Sequence, residues 1–351
     1  MLYHNLIKPI LFSLEPEVAH DIGAKALQIT GSVRPITTCL RKFLQSNQHP
    51  VEVFGLTFPN LVGQAAGLDK NGVFPATSAA LGFGFVEVGT VTPLPQPGNE
   101  RPRLFRLPED YALVNRMGFN NDGVHALVEK IQRSFPKGKR SVPLGINLGK
   151  GKSTPLDLAL QDYCKGFDVV AKQADYITIN VSSPNTPNLR ELQNNEFLQP
   201  LLQGIKECRE KWSIDHSLKS PPCLLKISPD ESFKNLEQIV SKAVENNFDG
   251  IIASNTTIDS SCIQFAKSVP TGGISGKPLS ARSDEVIKFI SKLTNEKLPI
   301  IGSGGIFDYE SAQKKLDSGA CLLQIYTSFI YHGPLWPSKL ARRIPLANSL
   351  I

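Results

Sequence analysis

Eight short apolar runs, each followed by a longer amphipathic pattern, constrain this chain more than any other feature. They are Leu61–Ala66, Gly84–Gly89, Pro143–Leu148, Tyr176–Val181, Cys223–Ile227, Gly250–Ala253, Pro299–Gly302 and Cys321–Ile325. An apolar run of this length between helical patterns reads as a strand covered on both faces, and hence as part of a parallel sheet. The intervening segments repeat apolar residues at helical spacing, as in Leu236, Ile239, Val240, Ala243 and Val244, or Val286, Ile287, Phe289, Ile290 and Leu293, with Lys, Glu and Gln on the opposite faces. Eight such βα units predict an α/β fold closed into a (β/α)₈ TIM barrel rather than an open sheet.

At 351 residues the chain exceeds the roughly 250 typical of such a barrel. The excess lies mainly at the start. Leu2, Leu6, Ile7, Ile10, Leu11 and Leu14 recur at helical spacing; Glu15-Pro16 then gives a stop and restart, and Val18, Ile22, Ala26 and Ile29 continue a stripe as far as Gly31. Two short amphipathic helices are expected, forming an extension over residues 1–45 ahead of a barrel over 46–351. A second departure is the Pro-rich segment 91–121, too long for an ordinary βα loop, in which Arg103–Leu107 and Ala112–Asn115 predict a hairpin. It reads as a functional insertion.

Composition removes several classes. The net charge of +6 is spread without a basic run, so no nucleic-acid partner is expected. Six cysteines are scattered with no Cys-x-x-Cys pair and no His at ligand spacing, which predicts reduced, mostly buried thiols and no metal. The first residues lack the features of a secretory signal, and no stretch reaches the roughly 18 apolar residues of a membrane span.

Chemistry is concentrated just after the strands. In order these positions carry Asp69 and Lys70, Thr90, Asn147, Asn180 with Ser183 and Asn185, Lys226, Ser254-Asn255-Thr256, Gly304-Gly305 and Tyr326-Thr327. Polar residues at the carboxyl ends of barrel strands read as an active site. Gly302 to Gly305 and Tyr326 to Ser328 follow strands seven and eight, where barrels bind phosphate; a phosphorylated ligand is implied, against the plainer alternative that the glycines merely allow tight turns. Lys226, flanked by Leu224, Leu225 and Ile227, and Lys70 would each need an anion or an electron-rich ring; the bland alternative is a solvated lysine. Asn115, Asn180, Asn185 and Asn255 offer paired donors and acceptors that suit a cyclic imide, against the ordinary reading of turn or cap residues. Ser183 has no His partner in these loops, which disfavours a hydrolase triad and leaves an active hydroxyl and a plain loop residue before Pro184 both open. A lyase using Lys226 or Lys70 as a Schiff base, and a non-catalytic scaffold, are the competing classes.

Three segments carry a resemblance: Ala65-Ala66-Gly67-Leu68-Asp69-Lys70, Asn115-Arg116-Met117-Gly118-Phe119-Asn120-Asn121 and Asn180-Val181-Ser182-Ser183-Pro184-Asn185-Thr186. With Gly145 to Lys150, Asn255 to Thr257, Thr271 to Gly276 and Gln324 to Tyr326, the chain resembles the class 2, quinone-dependent dihydroorotate dehydrogenases over nearly its whole length. The resemblance implies oxidation of dihydroorotate to orotate, the fourth step of pyrimidine synthesis, with FMN as hydride acceptor and a membrane quinone as final acceptor. It assigns FMN to Ala66, Gly67, Leu68, Asp69, Lys70, Thr90, Asn147, Asn180, Lys226, Ser254, Gly276, Gly305, Tyr326 and Thr327. Dihydroorotate falls to Lys70, Asn115, Arg116, Met117, Gly118, Phe119, Asn180, Asn185, Asn255 and Thr256.

Ser183 becomes the base that takes the C5 proton, and Lys226 the group that stabilises negative charge on the flavin. Serine rather than cysteine at this position, together with the amphipathic extension, points to class 2 rather than class 1. His20 and Arg106 match positions of the quinone tunnel, and Ser254 stands where relatives often carry Thr, which keeps the hydroxyl. The resemblance implies peripheral attachment to a bacterial cytoplasmic membrane on its cytoplasmic side, without an obligatory protein partner.

Overall fold

The computed structural model describes residues 2–44 and 50–344. All eight expected strands are present, as Val62–Gln64, Phe85–Val91, Leu144–Leu148, Tyr176–Asn180, Cys223–Ile227, Gly250–Ala253, Ile300–Ser303 and Leu322–Ile325. Each pairs in parallel with its sequence neighbours, and the last returns to the first through Leu323 opposite Val62 and Ile325 opposite Gln64, so the sheet closes. Every strand residue is buried, as a sheet walled by helices requires. In the helix Phe233–Glu245, Leu236, Ile239, Val240 and Ala243 face the strands, whereas Val244 lies on the outer side and is half exposed.

The floor of the barrel holds an element the sequence patterns did not mark. Val51–Val53 and Leu56–Phe58 form a tight hairpin turning at Phe54 and Gly55, both with positive φ. It presses Phe58 onto Phe85, with ring centroids 5.3 Å apart, and Phe85 in turn faces Tyr176.

The amino-terminal segment contains a π-turn, Tyr3–Ile7, followed by α1 (Lys8–Ser13), α2 (Pro16–Ser32) and α3 (Arg34–Leu44), one helix more than expected. The break at Glu15-Pro16 is real: the Glu15 carboxylate caps α2 by accepting the Val18 N–H at 2.9 Å, with Pro16 at the first helical position. Gly31 does not end the helix. A side chain there would meet Thr77 Oγ1 at 2.7 Å, and that hydroxyl donates to the Leu27 carbonyl, so Gly31 allows α2 to lie against the barrel. The expected boundary between residues 45 and 46 lies outside the described residues.

The insertion after the second strand forms the expected hairpin, Leu104–Leu107 with Ala112–Asn115. A third strand, Gly273–Gly276, adds to it antiparallel from the far side of the sequence. The cysteines are free, as expected, but only Cys223 and Cys321 are buried and Cys39 is exposed on α3. Among the described residues no helix is long and apolar enough to cross a membrane.

Phe85 joins the barrel interior to its floor and is wholly buried. Phe85→Ala should lower unfolding free energy by about 3–5 kcal/mol in urea titration. A loss below about 1 kcal/mol would show that the floor is not part of the cooperative core.

Candidate functional site

Because all eight strands run the same way, their carboxyl ends meet at one mouth, and a cavity opens there. Ala66, Gly67 and Lys70 line it from the first strand, Thr90 from the second, Asn180, Ser183 and Asn185 from the fourth, and Lys226 from the fifth. Ser254, Asn255 and Thr256 follow from the sixth, Gly305 from the seventh, and Tyr326 and Thr327 from the eighth. The insertion covers the opening with Asn115, Met117, Gly118 and Phe119, and its third strand adds Gly276.

Four expected site residues lie elsewhere. Leu68 turns to a neighbouring apolar cavity. The buried Asp69 carboxylate accepts the N–H groups of Val73 and Phe74, both at 2.9 Å, and burial pushes it up to about 6 against those bonds. The Arg116 guanidinium donates to the Pro102 carbonyl at 2.9 Å, away from the mouth. Asn147 lies under the cavity, accepting from Thr90 Oγ1 at 2.5 Å and donating to Glu87 at 2.8 Å.

The asparagines form two hydrogen-bonded groups, Asn115 with Asn185 and Asn180 with Asn255. Asn185 Nδ2 donates to Asn115 Oδ1 at 3.0 Å, Asn255 Nδ2 to Asn180 Oδ1 at 3.3 Å, and Asn180 Nδ2 to Thr90 Oγ1 at 3.0 Å. Such bonding fixes which end of each amide faces the cavity. Ser183 is buried in the loop after strand four, and its hydroxyl accepts the Asn185 N–H at 3.3 Å. Arg190 braces this loop, donating to the Ser182 carbonyl at 3.2 Å and the Thr256 carbonyl at 2.9 Å while pairing with Asp230 at 2.7 Å. No spacing in the sequence marks Arg190 for that part.

Glu87 was also missed, although a carboxylate between Val86 and Val88 in an apolar strand is a signal in itself. It is fully buried within the barrel. One oxygen accepts from Gln324 Nε2 at 2.8 Å, Tyr176 Oη at 3.0 Å and Thr178 Oγ1 at 3.2 Å; the other accepts from Asn147. Lys226 stands above this carboxylate with no ion pair among the described residues. Burial lowers its pKa, and the charge of Glu87 opposes that shift.

The site is unfinished without a polar ligand. Among the described residues the cavity-lining Thr256 Oγ1 and Gln324 Oε1 are buried with no hydrogen-bond partner, a state that costs about 1–3 kcal/mol for each group. At the other end Gly305 has φ +76°, and a Cβ there would lie 2.2 Å from Ser280 Cα, so only bare backbone fits. A planar polar ring over Lys226 and a phosphate at the Gly305 end match these features.

A second cavity, apolar and of ≈ 310 Å³, lies between α1, α2 and the barrel. Leu104, Leu113 and Tyr326 line both cavities and form the wall between them. His20 and Arg106 both line the apolar one. Arg106 donates to the carbonyls of Phe12 and Leu14, each at 2.8 Å, which holds the end of α1 against the insertion. Burial, then the charge of Lys70, push His20 down to about 4, so it is neutral at physiological pH.

Residues 49–347 match the family model described as dihydroorotate dehydrogenase. The chain is 45% identical over 343 residues to the "Dihydroorotate dehydrogenase (quinone)" of Methylococcus capsulatus, covering 97% of this chain and 98% of that protein. It is 47% identical over 335 residues to the protein of the same name from Vibrio parahaemolyticus, covering 95% and 97%. Among solved structures, ligand-free DHODH from Eimeria tenella superposes with a TM-score of 0.81 at 35% identity over 93% of each chain.

Glu87→Leu strands four donors in a dry interior, so unfolding free energy should fall by about 3 kcal/mol or more. Glu87→Gln, which keeps an acceptor, should lose less. Equal stability of the two variants in urea titration would contradict the role given to the carboxylate.

Proposed function

Because the chain belongs to the dihydroorotate dehydrogenase family, we propose that it oxidises dihydroorotate to orotate with FMN as hydride acceptor and a membrane quinone as final electron acceptor, the fourth step of pyrimidine synthesis. The observation that carries this reading is the pair of cavities, one rimmed with amides and the other apolar, sharing the wall of Leu104, Leu113 and Tyr326. A polar donor and a greasy acceptor can occupy the two sides without meeting.

The two asparagine pairs, Asn115 with Asn185 and Asn180 with Asn255, together with Thr256, suit the alternating N–H and C=O edge of dihydroorotate, and Lys70 suits its carboxylate. In this reading Ser183 Oγ takes the proton from C5. A serine is a weak base in water, so the buried, braced loop must supply positioning. Bound FMN supplies the ring that takes the C6 hydride and delivers electrons onward. Thr90, Asn180, Ser254, Tyr326 and Thr327 would hold that cofactor, with Ala66 and Gly67 beside it, Asn147 setting Thr90 from below, and Gly276 and Gly305 admitting its phosphate. Lys226 holds a positive charge where negative charge develops.

The extension, over residues 1–45, is the membrane-facing unit in this reading. Leu6, Ile10 and Ile29 expose more than half of their surface, and Arg34, Arg41 and Lys42 are exposed on α3. Apolar and basic side chains on short helices suit the surface of an anionic bilayer. His20 and Arg106 then flank the quinone path.

Ser183→Ala should slow reduction of the bound flavin by dihydroorotate about 10²–10⁴-fold in anaerobic stopped flow, with flavin content unchanged. Near-normal reduction would remove Ser183 as base. Replacing Leu6, Ile10 and Ile29 together by Ser should abolish cosedimentation with anionic vesicles and leave flavin reduction intact. Retained binding would move the membrane surface elsewhere.

A further inference from the structure

The loop after the fifth strand is pinned at several points, although none of the described residues 228–232 lines the cavity. Gln193 Oε1 accepts the Ser228 N–H at 3.0 Å, Arg282 donates to the carbonyls of Pro229 at 2.8 Å and Glu231 at 2.7 Å, and Arg190 Nη1 donates to Asp230 Oδ2 at 2.7 Å. Arg190 and Gln193 lie three residues apart on the 3₁₀ turn Leu189–Gln193, so both side chains leave the same side of it. The other donors of Arg190 go to the loops on either side. Nε donates to the Ser182 carbonyl at 3.2 Å, next to Ser183, and Nη2 to the Thr256 carbonyl at 2.9 Å. Asp230 completes the span, since Oδ2 also accepts the Ile258 N–H at 3.0 Å and Oδ1 accepts the Thr257 hydroxyl.

We propose that Arg190 and Asp230 are positioning residues of the reaction. With the fifth loop as a strut, they join the loop that carries Ser183 to the loop that carries Asn255 and Thr256, so that the base and the substrate-binding groups keep one spacing. The proposal rests on the functional reading above. An ion pair serving only the surface would need two partners and little burial. Here both side chains are 19% exposed, and the planar guanidinium spends one nitrogen on the carboxylate and two on carbonyls of different loops, which fixes direction as well as distance. Ser182 Oγ adds a second tie between the same loops by accepting from Asn255 Nδ2 at 2.9 Å. Two ties at different points resist rotation of one loop against the other, as a single tie does not. Ser183 acts only when a proton leaves C5, so its exact position bears on the rate rather than on the affinity for orotate, whose C5 gives no proton to the base.

Flavin-loaded protein is mixed anaerobically with saturating dihydroorotate to read the rate of flavin reduction, and orotate is titrated in parallel to read affinity. Arg190→Lys keeps the charge but not the three-way fork. It should slow reduction about 10²-fold while weakening orotate by about threefold or less. Asp230→Asn alters no group of the Ser183 loop, yet should slow reduction about tenfold with orotate affinity inside the same limit. Because the two residues act as one unit, the double variant should be no slower than Arg190→Lys. A normal rate in either single variant, rate and affinity falling by equal factors, or a double variant slowed by the product of the single effects would overturn the proposal. If Arg190→Lys does not fold, Asp230→Asn decides alone: a normal rate, or an equal loss of rate and affinity, overturns the strut. Failure of the unaltered protein to reduce its flavin with dihydroorotate would instead refute the functional reading.

Discussion

Closure of the sheet is the constraint on which the rest depends. Pairing Leu322–Ile325 with Val62–Gln64 removes both edges and sends eight carboxyl ends to one mouth. The interior below is then sealed by the Phe58 and Phe85 rings, so any polar group inside must find its partners there. Glu87 is that case. Its acceptors satisfy donors from the third, fourth and eighth strands, and it sets the amide of Asn147 beneath the cavity and that of Gln324 in the cavity lining. The same closure that stabilises the fold orients the floor of the site.

What closure does not supply is a roof and a second compartment. Both come from segments outside the barrel, the insertion after strand two and the amino-terminal helices. They meet through Arg106 on the carbonyls that end α1 and through Arg101 and Arg103 on Glu17. Covering the mouth with these segments buries the Ser183 loop, and in the proposed reaction that is where a weak base works in a fixed geometry. It also creates the apolar cavity, whose wall is one side chain thick at Tyr326 and at the leucines of the hairpin.

Much of this is legible in the sequence because buried parallel strands are written as apolar runs, and the residues after them have few reasons to be polar other than chemistry. The strand positions and the cavity-lining set from Lys70 to Thr327 follow from that contrast. Elements too short for periodicity do not show: the floor hairpin has strands of three residues, and Gly273–Gly276 becomes a strand only because Ala112–Asn115 lies beside it. Helix α3 is hidden by Ile36, Thr37 and Thr38, whose branched side chains weaken helical preference. Long-range polar pairs are the least visible, since nothing local links residue 17 to 103, or residue 190 to 230. The resemblance named residues such as Asn147 and Asp69 without indicating that they lie outside the cavity lining.

The most direct measurement is anaerobic mixing of the purified, flavin-loaded protein with dihydroorotate, followed by a short-chain ubiquinone or by fumarate. The account predicts that the flavin absorbance bleaches on mixing and returns rapidly with the quinone but not with fumarate. Absence of bleaching, or recovery with fumarate as fast as with quinone, would contradict it.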